Sequence, residues 1–268
     1  MIIAIADDIT GAAEIAGVAL RQGFAVDFSI NSIPTETRSD VIVVATDTRS
    51  AAPQEAGEVC RHLCRQARSL APQPLLFKKV DSVLRGNVGE ELSALLDATS
   101  FEKVLLLPQN PSRGRIISGG IYYVDGVELS KTAFACDPEF PAHTSEARKL
   151  LHGSPSDVCI ADATTESEIQ SLVRQASPST LVAGGADTFA AFLLVHGKAT
   201  AVNSTYYSRL SVSTINGPLL AIQGSTQSHS LVATPLFRQF GGTEITMPDD
   251  VFHGAPPQTR SEEHTSEL

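Results

Sequence analysis

The chain has 268 residues, enough for one large α/β domain or two smaller ones with an ample core. Its net charge of −10 argues against nucleic acid or an anionic membrane as a partner. No apolar run approaches the ~20 residues of a membrane-spanning helix, and the absence of Trp with only 6% aromatic residues leaves little material for stacking on bases or sugar rings. The chain opens in a strand pattern rather than a signal peptide, which predicts a cytoplasmic protein. Cys60, Cys64, Cys136 and Cys159 show no paired CxxC spacing. Cys60 and Cys64 flank His62 at helical spacing, but without a second ligand pair they read as reduced thiols, and no metal site is expected.

Apolar runs alternate with helical patterns along the chain. The first run, Ile2 to Ala6, delivers two adjacent carboxylates, Asp7 and Asp8, followed by Thr10, Gly11 and an alanine-rich helix over 11–22. Such a run reads as a fully buried parallel strand. In open α/β sheets, ligands bind just past the carboxyl ends of strands. Adjacent residues leaving a strand point in roughly opposite directions, so one carboxylate faces the pocket. Asp7 is read as a contact to ligand hydroxyls, from which an ionised carboxylate accepts strong hydrogen bonds. Asp8 reads either as a second ligand contact or as the N-cap of the helix.

Strands at 24–30 and 41–45 lead to a helix over 51–70, with Pro53 in the tolerant first turn. A strand at 75–78 then runs into Lys78, Lys79, Asp81, Ser82, Arg85 and Asn87 within ten residues. Arg can hold a carboxylate by two parallel hydrogen bonds, while Lys supplies a point charge. Gly86 removes a side chain near the start of a helix over 87–98, whose free N–H groups favour anions. Glu90 and Glu91 fall in that helix's first turn. The alternative is a solvated charged loop, but both signs of charge beside a strand end favour a site for a small polyhydroxylated anion.

After a strand at 103–107 comes PQNPSRGRIISGGIYYVDGVEL. Tyr122 to Val127 reads as a small hairpin with an Asp125-Gly126 turn. Arg113 and Arg115 flank Gly114, so this hairpin is placed to cover a pocket or meet another subunit. Strands at 158–161 and 180–183 with helices at 165–176 and 187–196 continue the rhythm, and Gly184-Gly185 reads as a tight turn. A linker is expected over 198–218, then a strand at 219–222, Gly224-Ser225, a helix at 227–240 and a strand at 243–246. The ending RSEEHTSEL fits nothing upstream and reads as a non-native tail. The expected architecture is α/β: a mostly parallel sheet flanked by helices, with a small β-hairpin insertion and an incomplete second α/β domain. The expected boundaries are 1–215, 216–259 and a tail at 260–268.

ADDITGAAEIAG, TDTRS, KKVDSVLRGNVGEEL and the pattern PxxPxxGR…GGxYxVxGVxL occur in that order and closely resemble the four-carbon acid sugar kinase family. The resemblance implies an ATP-dependent kinase acting on the terminal hydroxyl of threonate, erythronate or 3-oxo-tetronate. It implies an N-terminal domain for the sugar acid and a C-terminal domain for the nucleotide. Asp7 and Asp8 match the family's aspartate pair, and Lys79, Asp81, Ser82, Arg85, Gly86 and Asn87 match its lysine–DST–RGN segment. Val83 stands where the family usually has Thr, so any hydroxyl contact there is lost.

On this resemblance Asp7 and Asp81 are the catalytic candidates, and Lys79 and Arg85 are the cations expected on the substrate carboxylate. Asp8, Ser82, Gly86, Asn87 and Arg115 join them as substrate-binding candidates, and Gly224 and Ser225 are the nucleotide candidates. ATP and Mg2+ are the implied cofactors, expected mainly from a C-terminal part that does not follow residue 250 here. The chain is therefore expected to be inactive alone. The implied partner is a small sugar acid, and a homodimer is left open. Two rival readings are a non-catalytic sugar-acid-binding domain and an aspartate-dependent phosphohydrolase. The latter needs Asp-x-Asp spacing, whereas this chain has Asp7-Asp8-Ile9.

Overall fold

The computed structural model describes residues 1–71, 73–151, 153 and 157–197. All of them belong to one unit, Met1–Leu210. The first half runs β1 (Ile2–Ala6), α1 (Ile9–Arg21), β2 (Val26–Ile30), β3 (Val41–Ala45), α2 (Pro53–Leu70), β4 (Leu75–Lys79), α3 (Val88–Ala98) and β5 (Lys103–Leu107). The second half runs β6 (Arg115–Ser118), β7 (Ile121–Val124), β8 (Val127–Glu128), α4 (Ala147–Leu150), β9 (Val158–Ile160), α5 (Glu166–Gln175), β10 (Thr180–Gly184) and α6 (Ala186–His196). The linker, strands and helix expected beyond residue 197, and the domain boundaries at 215 and 259, lie outside the described residues.

Seven strands form a parallel sheet in the order β2-β3-β1-β4-β10-β5-β9. β1, β3 and β10 are buried along their whole length, which is why they read as unbroken apolar runs. One face packs against α2 and α3, through residues such as Leu63, Leu92 and Leu95. The other packs against α1, α5 and α6, through Ile15, Ile169 and Phe189. β1 and β4 are neighbours, yet the helices that follow them lie on opposite faces. This divergence marks a switch point, the place where doubly wound sheets bind ligands.

The insertion is a three-stranded antiparallel sheet, β6-β7-β8, rather than a two-stranded hairpin. β6 carries little strand signal in the sequence because Arg115–Ser118 is four residues long and bounded by glycines. The expected turn is present: Asp125 and Gly126 have φ of 51° and 79°, the pair of left-handed residues that a type I′ turn needs. Tyr122 is fully buried and its hydroxyl donates to the Ser82 carbonyl at 2.5 Å, which anchors the insertion on the loop after β4. On α2, Cys60 and Cys64 face the core rather than His62, and burial pushes the Cys60 thiol up to about 12.

Candidate active site

Asp7 is the first residue past β1 and is 1% exposed. Its Oδ2 accepts a hydrogen bond from Arg49 Nε at 2.7 Å. Its carbonyl accepts from the Thr48 and Arg49 backbone N–H groups at 2.9 and 3.3 Å. Its Oδ1 is buried and, among the described residues, has no hydrogen-bond partner. Asp8 turns the other way and caps α1, its Oδ1 accepting from Gly11 N at 2.9 Å. It also meets Arg49 Nη2 at 3.0 Å, so Asp8 is both a cap and part of the charged cluster.

Arg49 reaches a third carboxylate, with Nη2 3.6 Å from Asp81 Oδ1. Burial opposes the guanidinium charge, but Asp7, Asp81 and Asp8 together raise its pKa above the ordinary arginine value. Sequence reasoning noted TDTRS as a motif but did not place Arg49 in the site. The usable signal was positional: Arg49 follows β3 within a few residues, as Asp7 follows β1 and Asp81 follows β4.

The loop after β4 is built around Asp81. Its Oδ2 accepts from the Val83 and Arg85 backbone N–H groups at 3.1 and 3.2 Å and from Arg85 Nε at 3.0 Å. Its Oδ1 accepts from Arg85 Nη2 at 2.8 Å. Burial alone would raise the carboxyl pKa, but the Arg85 bonds and the Arg49 charge pull it from 3.8 down to about 2. Arg85 spends its remaining fork on Asp137, with Nη1 3.1 Å from Oδ2. The guanidinium expected on a substrate carboxylate is therefore turned into the protein.

Gly86 and Asn87 serve the neighbouring loop. Gly86 has φ of +84°, and a β-carbon there would lie 2.9 Å from both Arg49 Cγ and the Arg49 carbonyl oxygen. Asn87 Nδ2 donates to the Thr48 and Ala51 carbonyls at 2.9 and 2.8 Å. Ser82 Oγ accepts from Arg115 Nη1, and the Arg115 guanidinium lies 5.6 Å from the centre of the Phe134 ring. Arg115 is thus delivered by β6 to the loop after β4.

Lys79 ends β4 and is buried. Its Nζ donates to the Val80 carbonyl at 2.9 Å and lies 3.7 Å from Glu14 Oε2. A β-carbon on Gly11 would be 3.1 Å from this Nζ, so the ammonium sits against the first turn of α1. With one donor used on Val80, Lys79 retains N–H capacity for an anion there. Among the described residues the assembled site holds an unsatisfied carboxylate oxygen on Asp7 beside the Arg49 guanidinium. That combination suits a molecule carrying both hydroxyls and a carboxylate.

Among the described residues no group of three or more His, Cys, Asp and Glu is arranged to hold a metal ion. Asp7, Asp8 and Asp81 face guanidiniums instead. These residues do not fit a Mg2+ site, and Gly224 and Ser225 lie outside the described residues.

Fold and site together define a doubly wound α/β domain with a cluster of buried, mutually paired charges at the carboxyl ends of β1, β3 and β4. The chain belongs to the four-carbon acid sugar kinase family: the family model described as a sugar-binding N-terminal domain matches residues 2–155. It is 38% identical over 149 residues to a D-erythronate kinase of Heliobacterium modesticaldum, covering 53% of this chain and 33% of that protein. It is 30% identical over 150 residues to a D-threonate kinase of Salmonella typhimurium, covering 56% of this chain and 36% of that protein. The chain thus spans about a third of the length of these curated relatives. A solved structure from Bordetella bronchiseptica, described as a domain of unknown function (DUF1537) with bound citrate and as a domain-swapped dimer, superposes with a TM-score of 0.62 at 25% identity. That match covers 72% of this chain and 56% of the other.

Proposed function

We propose that this chain binds a four-carbon acid sugar at the carboxyl ends of β1 and β4. We further propose that it forms the sugar-acid half of a cytoplasmic, ATP-dependent kinase acting on the terminal hydroxyl. The observation that carries this reading is Asp7: buried at a strand end, gripped by Arg49 through one carboxylate oxygen, and with the other oxygen unpartnered among the described residues. A substrate hydroxyl donating to Oδ1 would satisfy that atom and be oriented for transfer, and Asp7 can take its proton as the new bond forms. Lys79 and Arg115 supply charge for the carboxylate. Asp81, ionised and occupied by Arg85, holds the loop rather than taking a proton.

The names of the two kinase relatives support erythronate and threonate as substrates, and the family resemblance adds 3-oxo-tetronate. The citrate in the Bordetella structure supports a small hydroxy-acid ligand, and the dimer there supports a homodimer here. ATP with Mg2+ would supply the phosphoryl group.

The test is calorimetric titration of D-erythronate, D-threonate and 3-oxo-tetronate, paired with a coupled ADP-release assay. The 268-residue chain is expected to bind one of these acids without turnover. Turnover by this chain alone would overturn its assignment as the sugar-acid half, and no binding of any acid would overturn the site.

A further inference from the structure

Beneath Asp7 lies a pair of charges that the proposed chemistry does not use. Lys78 on β4 and Glu91 on α3 are both 0% exposed, with Nζ 2.9 Å from Oε2. Burial opposes the Lys78 ammonium, but the Glu91 carboxylate holds its pKa above the ordinary lysine value. Burying two full charges costs several kcal/mol per ion before their attraction is counted. An apolar pair would fill the same space between sheet and helix, so the charges call for a role beyond filling it.

The pair does not end at Glu91. Thr48 Oγ1 donates to Glu91 Oε1 at 2.5 Å, and the Thr48 backbone N–H donates to the Asp7 carbonyl at 2.9 Å. Thr46 Oγ1 lies 2.7 Å from Thr48 Oγ1 and donates to the Ala6 carbonyl at 2.9 Å. The next residue is Arg49, whose guanidinium grips Asp7. β4, α3, the loop after β3 and the end of β1 are therefore joined by one continuous set of polar contacts.

We propose that Lys78 and Glu91, acting through Thr48, are positioning residues that fix Arg49 against Asp7. The inference rests on the sugar-acid reading for its consequence in binding, but its geometric claim is independent of any ligand. Glu91 Oε2 lies against the Lys78 ammonium, so its other oxygen, Oε1, is turned toward Thr48 as an acceptor. That acceptor turns the Thr48 side chain inward, and the backbone reversal it enforces carries Arg49 out over Asp7. Asn87, four residues before Glu91 on the same helix start, pins the Thr48 carbonyl from the other side.

The experiment compares wild type, Thr48→Val, Thr48→Ser and the double variant Lys78→Met with Glu91→Leu, each as the full chain. Residue-resolved hydrogen exchange is read at the Thr48 and Arg49 amides and at Arg49 Nε–H, alongside melting temperature. Thr48→Val and the double variant are expected to exchange at least about tenfold faster at those three groups, with the Ile3 and Val43 amides unchanged. Thr48→Ser, which keeps the hydroxyl, is expected to stay within about twofold of wild type. Protection that is unchanged at Thr48 and Arg49, or that falls equally in the strands, would overturn the proposal. Should the double variant not fold, Thr48→Val decides the matter, since it adds no lone charge.

D-erythronate titration of the same proteins separates the two claims. Failure of wild type to bind removes the functional reading and leaves the exchange result to decide the positioning role. If wild type binds, weakening in the double variant by at least about tenfold at an unchanged melting temperature supports it, and unchanged affinity counts against it.

Discussion

Gly86 and Arg49 lie in backbone contact: a β-carbon on Gly86 would stand 2.9 Å from the Arg49 carbonyl oxygen and from its Cγ. The glycine is required twice, because its φ of +84° is also one that L side chains rarely adopt. Gly86→Ala is expected to destabilise the fold by roughly 1–3 kcal/mol, read by urea denaturation. A loss of only a few tenths would mean that the Arg49 loop yields freely and is not held where the site needs it.

Asp81 gives the protein a defined acid limit. Its pKa is lowered in the folded state, from 3.8 to about 2, so it contributes stability that is fully present above the unfolded value. That contribution, roughly 2 kcal/mol, is lost as pH falls from about 4 toward 2. Stability measured across this window should fall more steeply in wild type than in Asp81→Asn. Equal slopes would show that the Arg85 fork does not hold the carboxylate.

Arg85→Lys should act on stability before it acts on affinity. Lysine keeps the charge but cannot span Asp81 and Asp137, so a loss of roughly 1–3 kcal/mol is expected. Weakened acid-sugar binding in a variant that melts like wild type would return Arg85 to direct substrate contact.

The buried pair should behave non-additively. Lys78→Met alone leaves the Glu91 charge unpaired and should cost about 3–5 kcal/mol, as should Glu91→Leu alone. Combining them removes both charges and should recover most of that loss. Thermal melts of the three variants decide it, and a double variant as unstable as the sum of the singles would contradict the ion-pair account.

The sheet was readable because β1, β3 and β10 are buried on both faces and so appear as unbroken apolar runs. The Asp8 cap was readable because it is local, three residues from its partner. What resisted reading depends on long-range contact. Asn87 pairs with carbonyls 36 and 39 residues away, and Arg49 meets Asp7 across 42. Lys78 and Glu91 read as part of the mixed charge of a ligand site at a strand end and a helix start, because nothing local reveals that α3 folds one onto the other. Gly86 was legible as a special position, but its close approach to Arg49 was not.

The central claim is that Asp7, through the oxygen left unpartnered among the described residues, binds a hydroxyl of a four-carbon acid sugar. Calorimetric titration of D-erythronate into wild type and Asp7→Asn tests it most directly, with melting temperature as the control on folding. The account predicts saturable binding by wild type and, in an Asp7→Asn protein that still melts cooperatively though at a lower temperature for its weakened Arg49 pair, a loss of roughly 1–3 kcal/mol, because the amide retains the shape but not the charge. Wild-type binding that survives Asp7→Asn undiminished would contradict it.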